Sequence, residues 1–455
     1  MLKRVPCQSR LRAHYKDGPQ RMTQDLAERI GFWAASFTPS AAQLARVHAS
    51  IRDFMGCVVA GTRRPELRPA LWLAQGGTVP VWGLSDSFDP AGAALVCGTA
   101  GSLLQLHDVY VPAGTHPSST VIAAAWSALH GVGARRREVF GRAVAAGYES
   151  ANQFARACSP GQGLAGSSAT ATGGAIGAAV AAALIAGLDA QGIGLAVANA
   201  ALLMQAAPTA AMRAHGTLAP LHSGLAARAG YEAATLARAG GAGRHILEGD
   251  PQGPGLMQLL RGQPQSLQPD TWHGETIDDV CWKYFPACFF SLTAIEAALQ
   301  IPLVNRDHIG RVSLRLPDRM LTLVGHGPRG SDLYDRLMSV RWGVACALLH
   351  GHHDIDRAVE TDNKTLALAQ RIEVVHAPEL DRLLPDILSA DLSVYSAHEH
   401  VQLAYRHKAT REPPKADRPT GSSFVLDDTR LREKFSALSR AAPAVADALS
   451  VLLAA

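Results

Sequence analysis

Three side chains able to carry protons fall within ten residues of one another: His107, Asp108 and His116. A carboxylate beside an imidazole raises its basicity and fixes its tautomer, which is what general acid–base catalysis asks of a histidine. The same residue types in a loop also cap helices or satisfy backbone groups, so the structural reading stands beside the catalytic one. Other polar groups invite chemistry less directly. His350, His352, His353 and Asp354 have metal-like spacing, but Gly351 marks the end of a helix, where exposed histidines complement the dipole; no metal site is expected there. His398 and His400 share one face of a strand and read as a surface pair. His222 stands at a helix start and reads as a structural hydrogen-bonder. Cys281 and Cys288, with six residues between them, do not match zinc spacing.

The elements that must position these groups change in texture along the chain. From about Leu26 to Gly262 the pattern is helix after helix, rich in Ala and Leu. Helices are expected over Ala41–Val59, Ser119–Leu129, Arg137–Ala157, Gly174–Ala186 and Ser223–Ala239, with Gly61, Gly131, Gly187 and Gly240 just past their ends. Near residue 270 alternation of strand type begins: Ile309–Leu316, Arg371–His376 and Val394–Tyr405, with helices at Leu292–Leu299 and Met338–Leu349 between them. Lys408–Ser422, with Pro413, Pro414 and Pro419, reads as a linker, and one final helix runs from Asp428 to Leu453, with Asp427 or Asp428 available as cap. The expected organisation is an extension (1–25), a helical domain (26–271), an α+β domain (272–418) and a C-terminal helix (419–455) that returns to the helical domain.

Composition narrows the function. Apolar residues make up 47% of 455 and charged residues 18%, enough to bury large cores. A net charge of +4 and 6% aromatics exclude a nucleic-acid binder, which needs a dense basic face with stacking rings; Arg135-Arg136-Arg137 is a solvated turn. Ala169–Leu188 is uncharged and long enough to span a bilayer, but its Ala, Gly and Thr make it a tightly packed helix of a soluble protein. Seven scattered cysteines and a polar N-terminus without a signal-peptide core point to reduced thiols and the cytoplasm.

Four motifs, in order, carry a resemblance. Cys97-Gly98 leads to Asp108 and then His116-Pro117-Ser118. Gly147-Tyr148-Glu149 precedes Ala169-Thr170-Ala171-Thr172-Gly173-Gly174. Gly216-Thr217-Leu218-Ala219-Pro220-Leu221-His222-Ser223-Gly224 continues to Leu247-Glu248-Gly249, and Lys283-Tyr284-Phe285-Pro286-Ala287-Cys288 follows. The chain thereby resembles the MmgE/PrpD family of 2-methylcitrate dehydratases and cis-aconitate decarboxylases over roughly residues 26–450. The resemblance implies a mainly α protein: a large helical domain built from both chain ends, and a smaller inserted α+β lid domain with the active site between them. It also implies a homodimer, a small-molecule substrate, no metal or organic cofactor, and proton transfer next to a carboxylate.

Matched motif by motif, several positions depart from the family pattern. The first acidic position falls on Gln105 and the later two on His107 and Asp108, while His116 is retained. A family histidine falls on Ser168, a lysine on Ala219, a second histidine on Leu292, and a tyrosine on Trp342. Arg213 and His215 precede the altered loop and would supply a replacement cation, or else form a solvated helix end; Lys283 matches a family lysine. His116, Asp108 and His107 are therefore the expected catalytic groups. Gln105, Ser168, Arg213, His215, Lys283 and Trp342 are the expected substrate-binding groups. With fewer cations than a tricarboxylate site needs, the expected activity is a dehydratase- or decarboxylase-type lyase acting on a different small acid or specialised biosynthetic intermediate. An isomerase, epimerase or cyclase on the same fold, or a non-catalytic metabolite- or partner-binding homologue, is the alternative.

Overall fold

Short polar side chains start the helices. Asp25, Ser40, Asp89, Ser168 and Asp189 each accept a backbone N–H from the first turn that follows, satisfying a donor that has no partner within the helix. A computed structural model describes residues 25–132, 138–213, 218–301, 309–330, 332–384, 387–396, 400–408, 428–439, 442 and 444–453. The N-terminal extension, Arg135-Arg136-Arg137, His215, His398, Asp427 and nearly all of the proline-rich linker lie outside the described residues, as do the side chains of Arg213 and His400.

The chain is mainly helical. At the centre of its first core lies the Ala169–Ile185 helix, in which every residue from Thr170 to Ile185 is buried. Helices Phe140–Cys158 and Leu221–Leu236 pack along it, and Ala41–Thr62 and Pro90–Leu103 complete the layer. Small residues permit this closeness. A Cβ on Gly177 would stand 2.3 Å from the Gly147 carbonyl oxygen. No described helix is long and apolar enough to cross a membrane, so the uncharged stretch is core.

The expected helices are present with shifted ends. Gly187 (φ 72°) follows a helix end, its N–H bonded to the Leu184 carbonyl. Gly61 and Gly131 instead lie inside helices. At Gly61 the reason is contact: a Cβ there would be 2.0 Å from the Ala100 carbonyl oxygen on the neighbouring helix. The π-helical turn Ser118–Ile122 that opens the Ala123–Val132 helix was also not expected.

A second core holds a four-stranded sheet in the order His400–Lys408, Ile387–Ser396, Ile309–Leu316, Glu373–His376. The first three strands are antiparallel neighbours and the last pairs in parallel. Helices Leu292–Gln300 and Val340–His350 pack in this core. What reads as one strand, Val394–Tyr405, is two strands of a hairpin that pairs Tyr395 with His400; no Gly or Pro in the sequence marks the turn. His353, expected at the surface, is buried.

The C-terminal segment is two helices, Asp428–Ser439 and Ala444–Leu453, not one; Pro443 between them lacks the N–H that a continuous helix needs. Leu431, Phe435 and Leu438 are buried, and Leu438 packs over Gly56 of the Ala41–Thr62 helix, joining residues from both ends of the chain. The segment between the two cores is pinned to that same helix. Trp282 Nε1–H donates to Ser50 Oγ (3.1 Å), and the Arg46 guanidinium sits 4.1 Å from the Trp282 ring while donating to the Val280 carbonyl (2.7 Å).

Gly61→Ala should destabilise the protein by about 1–3 kcal/mol, the range for overpacking, because its methyl meets backbone. Gly76→Ala, with nothing within 4 Å, should be close to neutral. Urea unfolding of the two variants measures the difference.

Candidate active site

The Pro90–Leu103 helix stops at Gln105, which adopts a left-handed backbone (φ 55°) that a helix cannot continue. The chain then turns inward through Leu106, His107 and Asp108, all buried. Val109–Tyr110 forms a short antiparallel pair with Val280–Cys281, in the register Val109–Cys281 and Tyr110–Val280. Continued by two residues, that register sets His107 opposite Lys283. Beyond it the chain doubles back: Tyr110 N–H donates to the Thr115 carbonyl (2.8 Å), and Gly114 (φ 67°) makes the turn. His116 is thereby returned to Asp108 and its ring packs on His107 with centroids 4.3 Å apart.

The contact between His116 and Asp108 differs from the expected carboxylate–imidazole pair. His116 Nδ1 lies 2.6 Å from the Asp108 main-chain carbonyl oxygen. A carbonyl can only accept, so Nδ1 carries the proton and Nε2 keeps its lone pair. The Asp108 carboxylate turns the other way. Its Oδ1 accepts from the Ser118 N–H (3.1 Å) and hydroxyl (2.6 Å), and its Oδ2 from the Tyr148 hydroxyl (2.8 Å). Burial pushes this carboxyl up to about 6 despite its donors. Asp108 holds the loop, and through its carbonyl the tautomer.

Two cations face this loop with different commitments. Lys434, from the C-terminal helix, is paired with Asp53 and donates to the carbonyls of Leu106 (3.0 Å) and Lys283 (2.7 Å). Burial works against its charge, yet Asp53 and its other neighbours together push its pKa up. Lys283 is fully buried, and among the described residues its Nζ donates only to the Ala287 carbonyl, at 3.4 Å. Burial lowers Lys283 from 10.5 to about 8. It is close enough to depress both imidazoles. His116 is pushed down to about 3, by burial first and the Lys283 charge second; burial and the His116 ring lower His107 well below the ordinary range. Both are neutral near pH 7.

His222, read from sequence as structural, donates from Nδ1 to the Ala219 carbonyl (2.6 Å), and its charge is felt at His107 and His116. It therefore joins the cluster with the same tautomer as His116. Ala219 packs with Tyr334, Met338 and Cys288 in a small apolar cluster separate from the two main cores.

Two of the other expected binding residues border this loop: Gln105 begins the turn into it, and Ser168 opens the helix whose Thr170 Oγ1 accepts the His116 N–H (3.1 Å). Gln105 turns its amide back to the Ser102 carbonyl (3.3 Å). Ser168 caps the Ala169–Ile185 helix through Ala171 N–H (3.4 Å). Trp342 lies in the second core with the Arg336 guanidinium 5.3 Å from its ring, and its Nε1 has no hydrogen-bond partner among the described residues. Arg213 ends the Thr209–Arg213 helix.

Comparison with known families matches residues 28–266 to the MmgE/PrpD N-terminal domain and residues 285–450 to the MmgE/PrpD C-terminal domain. The chain belongs to the MmgE/PrpD family. A search of curated proteins gave no match. MmgE/PrpD proteins are typically dehydratase- or decarboxylase-type lyases, and membership points to a lyase-type enzyme. Sequence reasoning passed over two residues of this cluster in the MmgE/PrpD chain. Tyr148 stood inside a quoted motif without a role. Lys434 carried a usable signal, since Leu431, Lys434, Phe435 and Leu438 are spaced i, i+3, i+4, i+7 along one helix face, and a lysine on an apolar stripe needs a buried partner.

Lys283 supplies a two-sided prediction. Its folded pKa lies below its unfolded one, so the unfolded chain binds more protons between about 8 and 10.5 and stability rises with pH across that window. The gain is lost as pH falls through about 8. Lys283→Met should thus stabilise the protein at pH 7, by up to roughly 3 kcal/mol, and flatten that pH dependence in urea titrations, while binding of small carboxylates weakens.

Proposed function

We propose that this protein is a cofactor-independent lyase that removes a proton from the carbon next to a carboxylate of a small acid other than the usual tricarboxylates. The observation that carries this reading is the 2.6 Å bond from His116 Nδ1–H to the Asp108 carbonyl, which leaves Nε2 as a proton acceptor in a site paired with one lightly committed cation, Lys283.

The geometry supports a coupled sequence. A substrate carboxylate that reaches Lys283 offsets the charge that depresses His116, so binding itself makes the imidazole more basic. His116 Nε2 then takes the α proton, and the Lys283 ammonium stabilises the charge that develops on the carboxylate. In a dehydration the electron pair left by the C–H bond forms the double bond as the β C–O bond breaks. The departing hydroxide takes up a proton to leave as water. His107 and His222, beside His116, are the groups available to relay that proton. The second core, which the chain enters just beyond Lys283, acts as the lid over the His107–His116 loop.

The altered family positions fit a changed substrate. Ala219, Leu292 and Trp342 cannot supply the lysine, histidine and tyrosine functions expected by resemblance, and Ser168 serves as a helix cap. A second reading, epimerisation, draws on the adjacent His107 and His116 rings, whose centroids lie 4.3 Å apart: one imidazole would remove the proton and the other return it. Deuterium in recovered substrate without net conversion would select it.

His116→Asn should lower turnover by on the order of 100-fold or more with the fold intact, the effect of deleting an acid–base group. Turnover near the unmodified rate, in a variant with unchanged thermal unfolding, would remove His116 from the mechanism.

A further inference from the structure

The proton-transfer reading leaves open which acid the site accepts, and two features outside the histidine cluster bear on that. The first is the distribution of charge. Lys434 is spent on Asp53 and two carbonyls, whereas Lys283 has one long contact. These are the lysines whose charge acts on His107, and Lys283 is the lysine whose charge acts on His116, with His222 acting on both rings. A polycarboxylate needs several cationic donors, and one ammonium matches one carboxylate.

The second is the apolar cluster of Ala219, Tyr334, Met338 and Cys288. It is separate from the two main cores, and its Cys288 also packs against the second one. Ala219 gives its carbonyl to His222, and Cys288 lies five residues beyond Lys283, with its N–H on the Leu337 carbonyl (2.9 Å). Tyr334 is 5% exposed, and its hydroxyl makes no hydrogen bond among the described residues. A wall with three apolar side chains and one unpartnered phenol would meet an apolar chain with a nearby oxygen; a second carboxylate placed there would find no cation among the described side chains.

Resting on the proton-transfer reading, we infer that the substrate is a β-hydroxy monocarboxylate with a short apolar chain: carboxylate on Lys283, chain against Ala219, Met338 and Cys288, hydroxyl within reach of Tyr334. Dehydration would break the α C–H and β C–O bonds and yield an α,β-unsaturated acid and water.

Calorimetric titration of the full-length protein with β-hydroxybutyrate, β-hydroxyhexanoate and β-hydroxyoctanoate, beside citrate and cis-aconitate, tests the assignment. Affinity should tighten roughly fourfold per added methylene over the first steps. Lys283→Met should weaken every monocarboxylate at least tenfold, and Met338→Ala should weaken the longer acids more than the shortest. Citrate or cis-aconitate binding tighter than every monocarboxylate would overturn the inference and point to cations such as Arg213. So would the absence of monocarboxylate binding. α-Deuterium exchange in heavy water, read by NMR on the same acids, separates the two claims. Chain-length-dependent binding without exchange keeps the ligand class and sinks the proton-transfer reading. Exchange confined to polycarboxylates does the reverse.

Discussion

A single buried ammonium ties the site together. Lys434 reaches from the C-terminal helix to Asp53 on the Ala41–Thr62 helix, to the carbonyl before His107 and to the carbonyl of Lys283. Its partners come from three distant parts of the sequence, and none can be removed without leaving a buried charge or carbonyl unsatisfied. Breaking one partner of a buried pair typically costs about 3–5 kcal/mol. The short ladder between Val109–Tyr110 and Val280–Cys281 is only two residues long and would not hold by itself. With Lys434 bridging the carbonyls at its end, it fixes Lys283 across from His107.

The electrostatics follow from that placement. The loop is buried against close-packed helices, and burial is the largest influence on His107, His116, His222 and Lys283. It drives each of them toward its neutral form. A neutral imidazole with its proton on Nδ1 is a competent acceptor at Nε2, and a lysine near its titration point is a cation whose charge depends on what binds it. Holding these groups buried thus costs the fold stability. Asp108 shows how one residue serves both ends: its side chain is anchored by Ser118 and Tyr148, and its backbone oxygen sets the histidine's tautomer.

Much of the fold was written in local pattern. The helices around residues 41–62, 140–158 and 221–236 follow from apolar spacing, the first helped by its Ser40 cap, and Ile309–Leu316 from alternation. Errors arose where the deciding signal was not local. The hairpin inside Val394–Tyr405 has no turn residue to mark it. Gly61 was read as a helix end because a glycine needed for interhelical contact and a glycine needed for a turn look alike in one dimension.

The sequence by itself determined the family, through ordered motifs, and the cluster of proton-carrying types at His107, Asp108 and His116. It also held the anomaly of a lysine on an apolar stripe at Lys434. Only the tertiary structure decided what those groups do. The partner of His116 is a main-chain carbonyl, which no sequence motif encodes. Ser168, expected among the binding residues, caps a helix, because its φ and ψ are set by where that helix begins. The low basicity of the histidines and the weak hold on Lys283 come from burial between elements more than a hundred residues apart, and burial is a property of the assembled core.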